Sequence, residues 1–281
     1  MIKRSAIESL LARDRAIVLT AITILCVLAW IYILNGASLG ISAWGMTELA
    51  LFPHRSASAM AGMAGMPVTP PDFRWSAGDW ALMIAMWWMM MIAMMTPSAT
   101  PAILLYGRVT SHAATSDRIR SQLASTGTFA AGYLLVWLAF SFAAAAVYWF
   151  LLRAGSVSAA IMGLQSRWLS AGVLTLAGAY QLSTFKSACL SHCRSPADFL
   201  SRYWRPGLSG ALRLGVLHGA YCVGCCWALM TLLFVGGVMN LAWIAALSLI
   251  VLAEKLLPGG RWLGHAMGVL LIAWGMTTLA F

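Results

Sequence analysis

Charge is scarce in this sequence. With 8 Asp+Glu and 18 Lys+Arg in 281 residues, charged side chains make up 9% of the chain and hydrophobic ones 61%. A soluble domain carries about a quarter charged residues. A compact fold in water cannot conceal this much apolar side chain, because much of its surface must face solvent. An ordinary cytosolic enzyme, a disordered tail and a collagen-like fibre are thereby excluded. G-x-x-x-x-G-K-[ST] is missing, as is any hydrophilic stretch long enough for a nucleotide domain, so a pump with its own ATPase is excluded. The absence of C-x-x-C-H removes covalent c-type haem. No Ser-His-Asp set and no paired carboxylates converge, which leaves hydrolytic chemistry without support.

What is present reads as an all-α, polytopic transmembrane helix bundle whose partner is the lipid bilayer. A spanning helix needs about 20 largely apolar residues. Seven segments qualify: Ala16–Leu34, Asp79–Tyr106, Thr126–Leu152, Arg167–Phe185, Leu208–Gly236, Val238–Ala253 and Trp262–Phe281. The first follows Lys3, Arg4, Arg13 and Arg15 and reads as a retained signal anchor, since no small-x-small cleavage site follows it. A cytoplasmic N-terminus and an external C-terminus put 14 Lys/Arg inside and only Arg55, Arg74, Arg153 and Arg167 outside. That asymmetry is the positive-inside pattern of a bacterial cytoplasmic (inner) membrane protein. The formal charge of +10 therefore reports topology, and nucleic acid is not an expected partner. The chain organises as an N-terminal anchor helix with an external Met-rich loop (1–78) and a six-helix membrane domain carrying the cysteine motifs (79–281).

Five of the six cysteines fall in two clusters. Cys222, Cys225 and Cys226 lie inside the fifth span; Cys189 and Cys193 follow the fourth, with His192 between them. Residues three and four apart share a helix face, so Cys222 points with Cys225 and Cys226. His218 and Met230 extend that stripe by one turn on either side. Cys189, His192 and Cys193 share a face if helical. Cys26, alone in the first span, reads as a small core hydrophobe.

Thiolate, imidazole and thioether donors suit soft or borderline metals, Cu(I) first and Zn(II) second. Redox-active thiols working with a quinone are the competing reading. Such a protein should present a cysteine pair to the external compartment, and no cysteine falls there; cytoplasmic thiols stay reduced. Whether the clusters make one site or two is open. Cys222 lies about 13 Å along the helix from Arg213, so the Cys189 pair reaches it only if the segment after Lys186 re-enters the membrane, an excursion that Pro196 would end.

Seventeen methionines are present, seven of them in the second span. Met83, Met86, Met90 and Met94 recur at helical spacing, either as adaptable packing or as uncharged Cu(I) ligands along which an ion steps. Met60, Met63 and Met66 lie in a Gly/Ala/Pro loop near His54, with no core to fill, and could capture copper externally. Pro97 and Pro101 are expected to break the second span and loosen its carbonyls. Asp79 reads as an N-cap, Glu254-Lys255 as an interfacial pair, and His265 as a lesser ligand candidate.

Several motifs resemble one bacterial family: the predicted metal-binding integral membrane proteins, a domain-of-unknown-function family sometimes labelled copper chaperone. They are Met94-Met-Thr-Pro-Ser-Ala-Thr-Pro101, the run from Tyr180 through Cys189 and Cys193 to Pro196, and His218-Gly-Ala-Tyr-Cys-Val-Gly-Cys-Cys-Trp-Ala-Leu-Met230, continuing through Gly237–Asn240 to Glu254-Lys255. The resemblance covers about residues 79–276 and implies metal binding, with transport, delivery and a structural role all open. The leading expectation is a copper-handling membrane protein with Cys222, Cys225, Cys226, His218, Cys189, Cys193, His192, Met90, Met94, Met60, Met63 and Met66 as metal ligands. A periplasmic copper carrier or a membrane copper enzyme would be its partner. A membrane thiol–disulfide oxidoreductase and a structural subunit of a membrane complex are the alternatives.

Overall fold

The computed structural model describes residues 2–38, 43–45, 47, 74–112, 118–158 and 162–280. Within them the architecture is helical: α1 (Ile2–Leu34), α2 (Ala77–His112), α3 (Arg118–Arg153), α4 (Arg167–Gln181), α5 (Thr184–Arg194), α6 (Pro196–Tyr203), α7 (Gly207–Thr231), α8 (Leu233–Gly236), α9 (Leu241–Leu256) and α10 (Gly260–Ala280). A two-residue antiparallel ladder, Val157–Ser158 on Gly163–Leu164, joins α3 to α4. Five stretches are long and apolar enough to cross a membrane: Arg15–Leu34, Ala77–Thr110, Leu123–Arg153, Gly207–Gly236 and Gly260–Ala280. The other two expected spans are shorter helices, α4 with 15 residues and α9 with 16.

The surface is apolar and the interior holds charge. Leu135, Phe142, Phe150, Leu176, Val269 and Leu270 are exposed, while Lys186, Glu254 and Lys255 are buried. Small residues let the helices approach closely. On α3, a Cβ at Gly132 would fall 2.5 Å from the Leu212 carbonyl oxygen of α7, and one at Gly215 of α7 would collide with the Phe129 carbonyl of α3. Gly178 on α4 meets Gly268 and Ile272 on α10 in the same way.

Helix α2 runs unbroken through Pro97 and Pro101, against the expected break. The missing N–H groups of Pro97 and Pro101 are those that would bond the carbonyls of Ala93 and Pro97. Neighbouring carbonyls in this stretch take added side-chain donors: Met95 O accepts from Tyr133 Oη at 3.1 Å and from Ser98 Oγ at 2.8 Å, and Met94 O from Ser248 Oγ at 3.4 Å. The bonds from Tyr133 and Ser248 tie this part of α2 to α3 and α9. The cap of α2 is Ser76, not Asp79: the Asp79 carboxylate reaches back to Ser76 N at 2.8 Å, and Ser76 Oγ accepts from Asp79 N at 3.2 Å. This is a reciprocal capping box with the acid at its third position.

The segment after α4 folds back onto α7. Ser183 caps α5 by accepting from Lys186 N. Pro196, at the first position of α6, ends the excursion where its missing N–H costs no bond.

Candidate functional site

The three α7 cysteines are all buried, as are His218 and Met230 on the same stripe. The thiols of Cys225 and Cys226 both donate to the Cys222 carbonyl, at 3.1 and 2.9 Å, which fixes their rotamers along the helix. Cys225 Sγ lies 3.9 Å from Cys193 Sγ of α5. Cys226 Sγ lies 3.8 Å from Met95 Sδ of α2. Cys189 packs over the one α7 position in this stretch without a side chain, since a Cβ at Gly224 would stand 2.8 Å from its sulfur. The two cysteine clusters therefore form one sulfur-rich centre shared by α2, α5 and α7.

Cys222 is the most polar member of the group. Its sulfur lies 2.9 Å from Lys255 Nζ of α9 and 3.2 Å from Tyr133 Oη of α3. Lys255 also donates to Ser98 Oγ at 3.0 Å. Glu254 and Lys255 are thus not the interfacial pair expected from the sequence. Both are buried, at 1% and 6% exposure, and they pair in different directions. Glu254 accepts from Lys186 Nζ at 2.6 Å and from Gln181 Nε2 at 3.0 Å. Arg194 Nη1 donates to the Glu254 carbonyl at 2.9 Å, and Nη2 to the carbonyls of Leu257 and Pro258. Five elements (α2, α3, α5, α7 and α9) thus converge around the thiols.

His218 and His192 flank the sulfur centre within aromatic surroundings. The His218 ring is packed among Phe129, Tyr133 and Phe199, with centroids at 6.0, 5.8 and 5.4 Å, and its Nδ1 has no hydrogen-bond partner. His192 stacks on Tyr221 with ring centroids 4.1 Å apart, and its Nδ1 lies 2.9 Å from the Ala188 carbonyl of its own helix. His265 is exposed on α10 and Cys26 is half-buried on α1. Met90 and Met94 are fully buried in α2, but the thioether that meets a cysteine is that of Met95. Met60, Met63 and Met66 lie outside the described residues.

The donor set has a defined shape. Among the described residues, no three His, Cys, Asp or Glu side chains are arranged to hold a metal ion. What the geometry offers is sulfur pairs. A metal–thiolate bond of about 2.3 Å lets two sulfurs share one ion when they are no more than about 4.6 Å apart. Cys193/Cys225 and Cys226/Met95 both fall inside that limit. On α5, outside any candidate span, burial and then the neighbouring Cys225 push the Cys189 thiol up from its ordinary value.

Sequence reasoning missed Tyr133, Ser98, Lys255 and Met95. Only the last two carried a signal: a lysine beside an apolar run, and a methionine one residue from a chosen one.

The fold and this centre define an all-helical protein with a buried thiol and thioether cluster. A family model described as copper chaperone (PpoB2) matches residues 84–278, more than half of the chain, and the chain belongs to that family. The match spans the region whose motifs carried the resemblance, and it gives the protein a copper-related role. No curated protein and no solved structure matches the chain.

Proposed function

We propose that this chain is an integral protein of the bacterial cytoplasmic membrane that binds Cu(I) through its sulfur pairs and hands it on. It crosses the bilayer seven times, α4 and α9 being the two short crossings, with the N-terminus cytoplasmic and the C-terminus external. Cys193 with Cys225 holds the ion, and Cys226 with Met95 forms the adjoining position on the side of α2. The buried methionines of that helix, Met94 and Met90 among them, lead toward the pair. The Met60/Met63/Met66 loop collects copper outside, from a periplasmic carrier, or the site delivers it to a membrane copper enzyme.

The observation that carries this reading is the approach of Cys193 to Cys225 at 3.9 Å, joining two cysteine motifs from separate helices. Two-sulfur sites suit Cu(I), a soft ion content with low coordination, better than Zn(II), which takes four ligands in structural sites. His218 and His192 contribute to the aromatic packing around the pairs, and the unpartnered, buried Nδ1 of His218 stands on the same helix one turn before Cys222.

The same 3.9 Å contact favours one competing reading, in which Cys193 and Cys225 cycle between dithiol and disulfide with a membrane quinone taking two electrons and two protons. One measurement separates the two: metal content of the purified full chain by elemental mass spectrometry after anaerobic loading with Cu(I) or Zn(II), with thiols counted on the same sample. Near-stoichiometric copper, lost in the Cys222→Ser/Cys225→Ser/Cys226→Ser protein, is the expected result. No bound metal together with one missing pair of thiols overturns it in favour of the redox reading.

A further inference from the structure

Lys255 places a positive charge in the sulfur centre that no described carboxylate balances. Burying an ion without a counter-ion is costly, and the other buried charges are already matched: Glu254 is paired with Lys186 at 2.6 Å. Among the described residues, no carboxylate lies within ion-pair distance of Lys255. Its ammonium is directed at Cys222 Sγ and Ser98 Oγ instead. Its place is fixed from the adjacent position, because Glu254 is held by Lys186, Gln181 and, through its carbonyl, Arg194.

Charge counting then discriminates between ions. When a monovalent ion binds two cysteines, two thiol protons leave and the resulting bis-thiolate complex carries one negative charge. A divalent ion on the same two thiolates gives a neutral complex. The first balances the neighbouring ammonium while Cys222 keeps its proton; the second balances it only if the Cys222 thiol, 2.9 Å from Lys255 Nζ, is ionised as well. The divalent ion therefore needs a third deprotonated thiol in the buried centre, and the monovalent ion does not.

We propose that Lys255 is the charge-selecting residue of the sulfur centre, its ammonium matching the single negative charge of a monovalent ion held by two thiolates and so favouring Cu(I) over divalent ions. This rests on the copper reading above. Lys255 touches no metal in this account. It acts through the electrostatic field at Cys222 and its neighbours, where a low local dielectric makes one charge count for much more than in water.

The test measures Cu(I) and Zn(II) affinities by chelator competition on the full chain in nanodiscs, for wild type, Lys255→Met, Lys255→Gln and Lys255→Arg. The neutral variants should lose Cu(I) affinity by about tenfold or more, with Zn(II) affinity unchanged or raised, while Lys255→Arg stays near wild type. Equal losses for both ions, or no loss for Cu(I), overturn the proposal. If the neutral variants do not fold, the wild type decides through Ag(I) against Hg(II), which share two-coordinate thiolate geometry and differ by one charge. Its preference for Ag(I), referred to dithiothreitol, should exceed that of the small dithiol by about tenfold or more; an equal preference overturns the proposal. A wild-type chain that takes up no Cu(I) overturns the copper reading and this inference together, and is distinct from a wild type that binds copper but does not discriminate by charge.

Discussion

The sulfur of Cys189 occupies the space that a side chain at Gly224 would need, 2.8 Å from where its Cβ would stand. One glycine on α7 thereby seats the first cysteine of α5, and the Gly224 carbonyl accepts the Tyr180 hydroxyl from a third helix. Alanine here should displace the Cys189 sulfur rather than the backbone, because a thiol can rotate away. In a chain with Cys189 as the sole cysteine, Gly224→Ala should raise the rate of maleimide labelling severalfold and cost about 1 kcal/mol of stability. An unchanged labelling rate would refute this packing account.

The same thiol should show a displaced pH profile. Burial, followed by the Cys225 neighbour, lifts Cys189 above the ordinary cysteine value. The thiolate is the nucleophile, so a raised value leaves Cys189 protonated and slow at neutral pH. Its labelling rate should climb only at a higher pH than that of a free thiol in the same buffer. A profile coincident with free cysteine would contradict it.

Met95→Leu should leave the fold in place, since leucine and methionine are close in volume and such exchanges usually cost under about 1.5 kcal/mol. It removes the thioether that faces Cys226, so Cu(I) affinity should fall by about tenfold, roughly 1.4 kcal/mol. Met89→Leu, on the half-buried side of the same helix, should bind copper as wild type does. Equal behaviour of the two variants would remove Met95 from the site.

The Lys186–Glu254 pair gives a stability prediction. Both residues are buried, at 2% and 1% exposure. Removing one partner strands the other charge and should cost about 3–5 kcal/mol, whereas replacing both with apolar residues should cost clearly less. Thermal unfolding in detergent of Glu254→Leu, Lys186→Met and the double variant checks the order. A double variant less stable than either single would show that the pair itself holds the fold together.

The glycines divide cleanly by what surrounds them. Gly215→Val should drive α3 and α7 apart, because a Cβ there collides with the Phe129 carbonyl; over-packing of this kind costs about 1–3 kcal/mol or more. Gly172→Ala meets nothing within 4 Å, and alanine is the better helix former by about 0.5–1 kcal/mol, so it should be neutral or stabilising. Detergent unfolding midpoints that fail to separate the two would undo the close-packing assignment.

Much of the fold was legible because apolar runs of spanning length announce themselves, and the α7 register followed from a spacing of three and four. The meeting of Cys193 with Cys225 was legible only as a condition, since it depends on a tertiary fold-back that no local pattern encodes. Met94 and Met95 lie about 100° apart on the helix, and neighbouring helices alone decide which one faces the thiols. Lys255 looked interfacial because it follows an apolar run near a helix end. The helix end itself is exposed at Leu256 and Leu257, but Glu254 and Lys255 are buried, and Arg194, Lys186 and Gln181 satisfy the polar groups around Glu254. Pro97 and Pro101 suggested a break by local rules, yet α2 continues through both, packed against α3 and α9 and tied to them by Tyr133 and Ser248.

The Arg194 guanidinium ties α5 to the carbonyls of Glu254, Leu257 and Pro258 at the exit of α9. The last carbonyls of a helix have no partner in their own ladder, so the end of α9 is closed by a residue directly after Cys193. Parting Cys193 from Cys225 by moving α5 therefore unlatches the α9 terminus that carries Lys255. The thiol pair and the neighbouring ammonium are thus mechanically joined through Arg194, so that in the copper reading proposed above the two would part together.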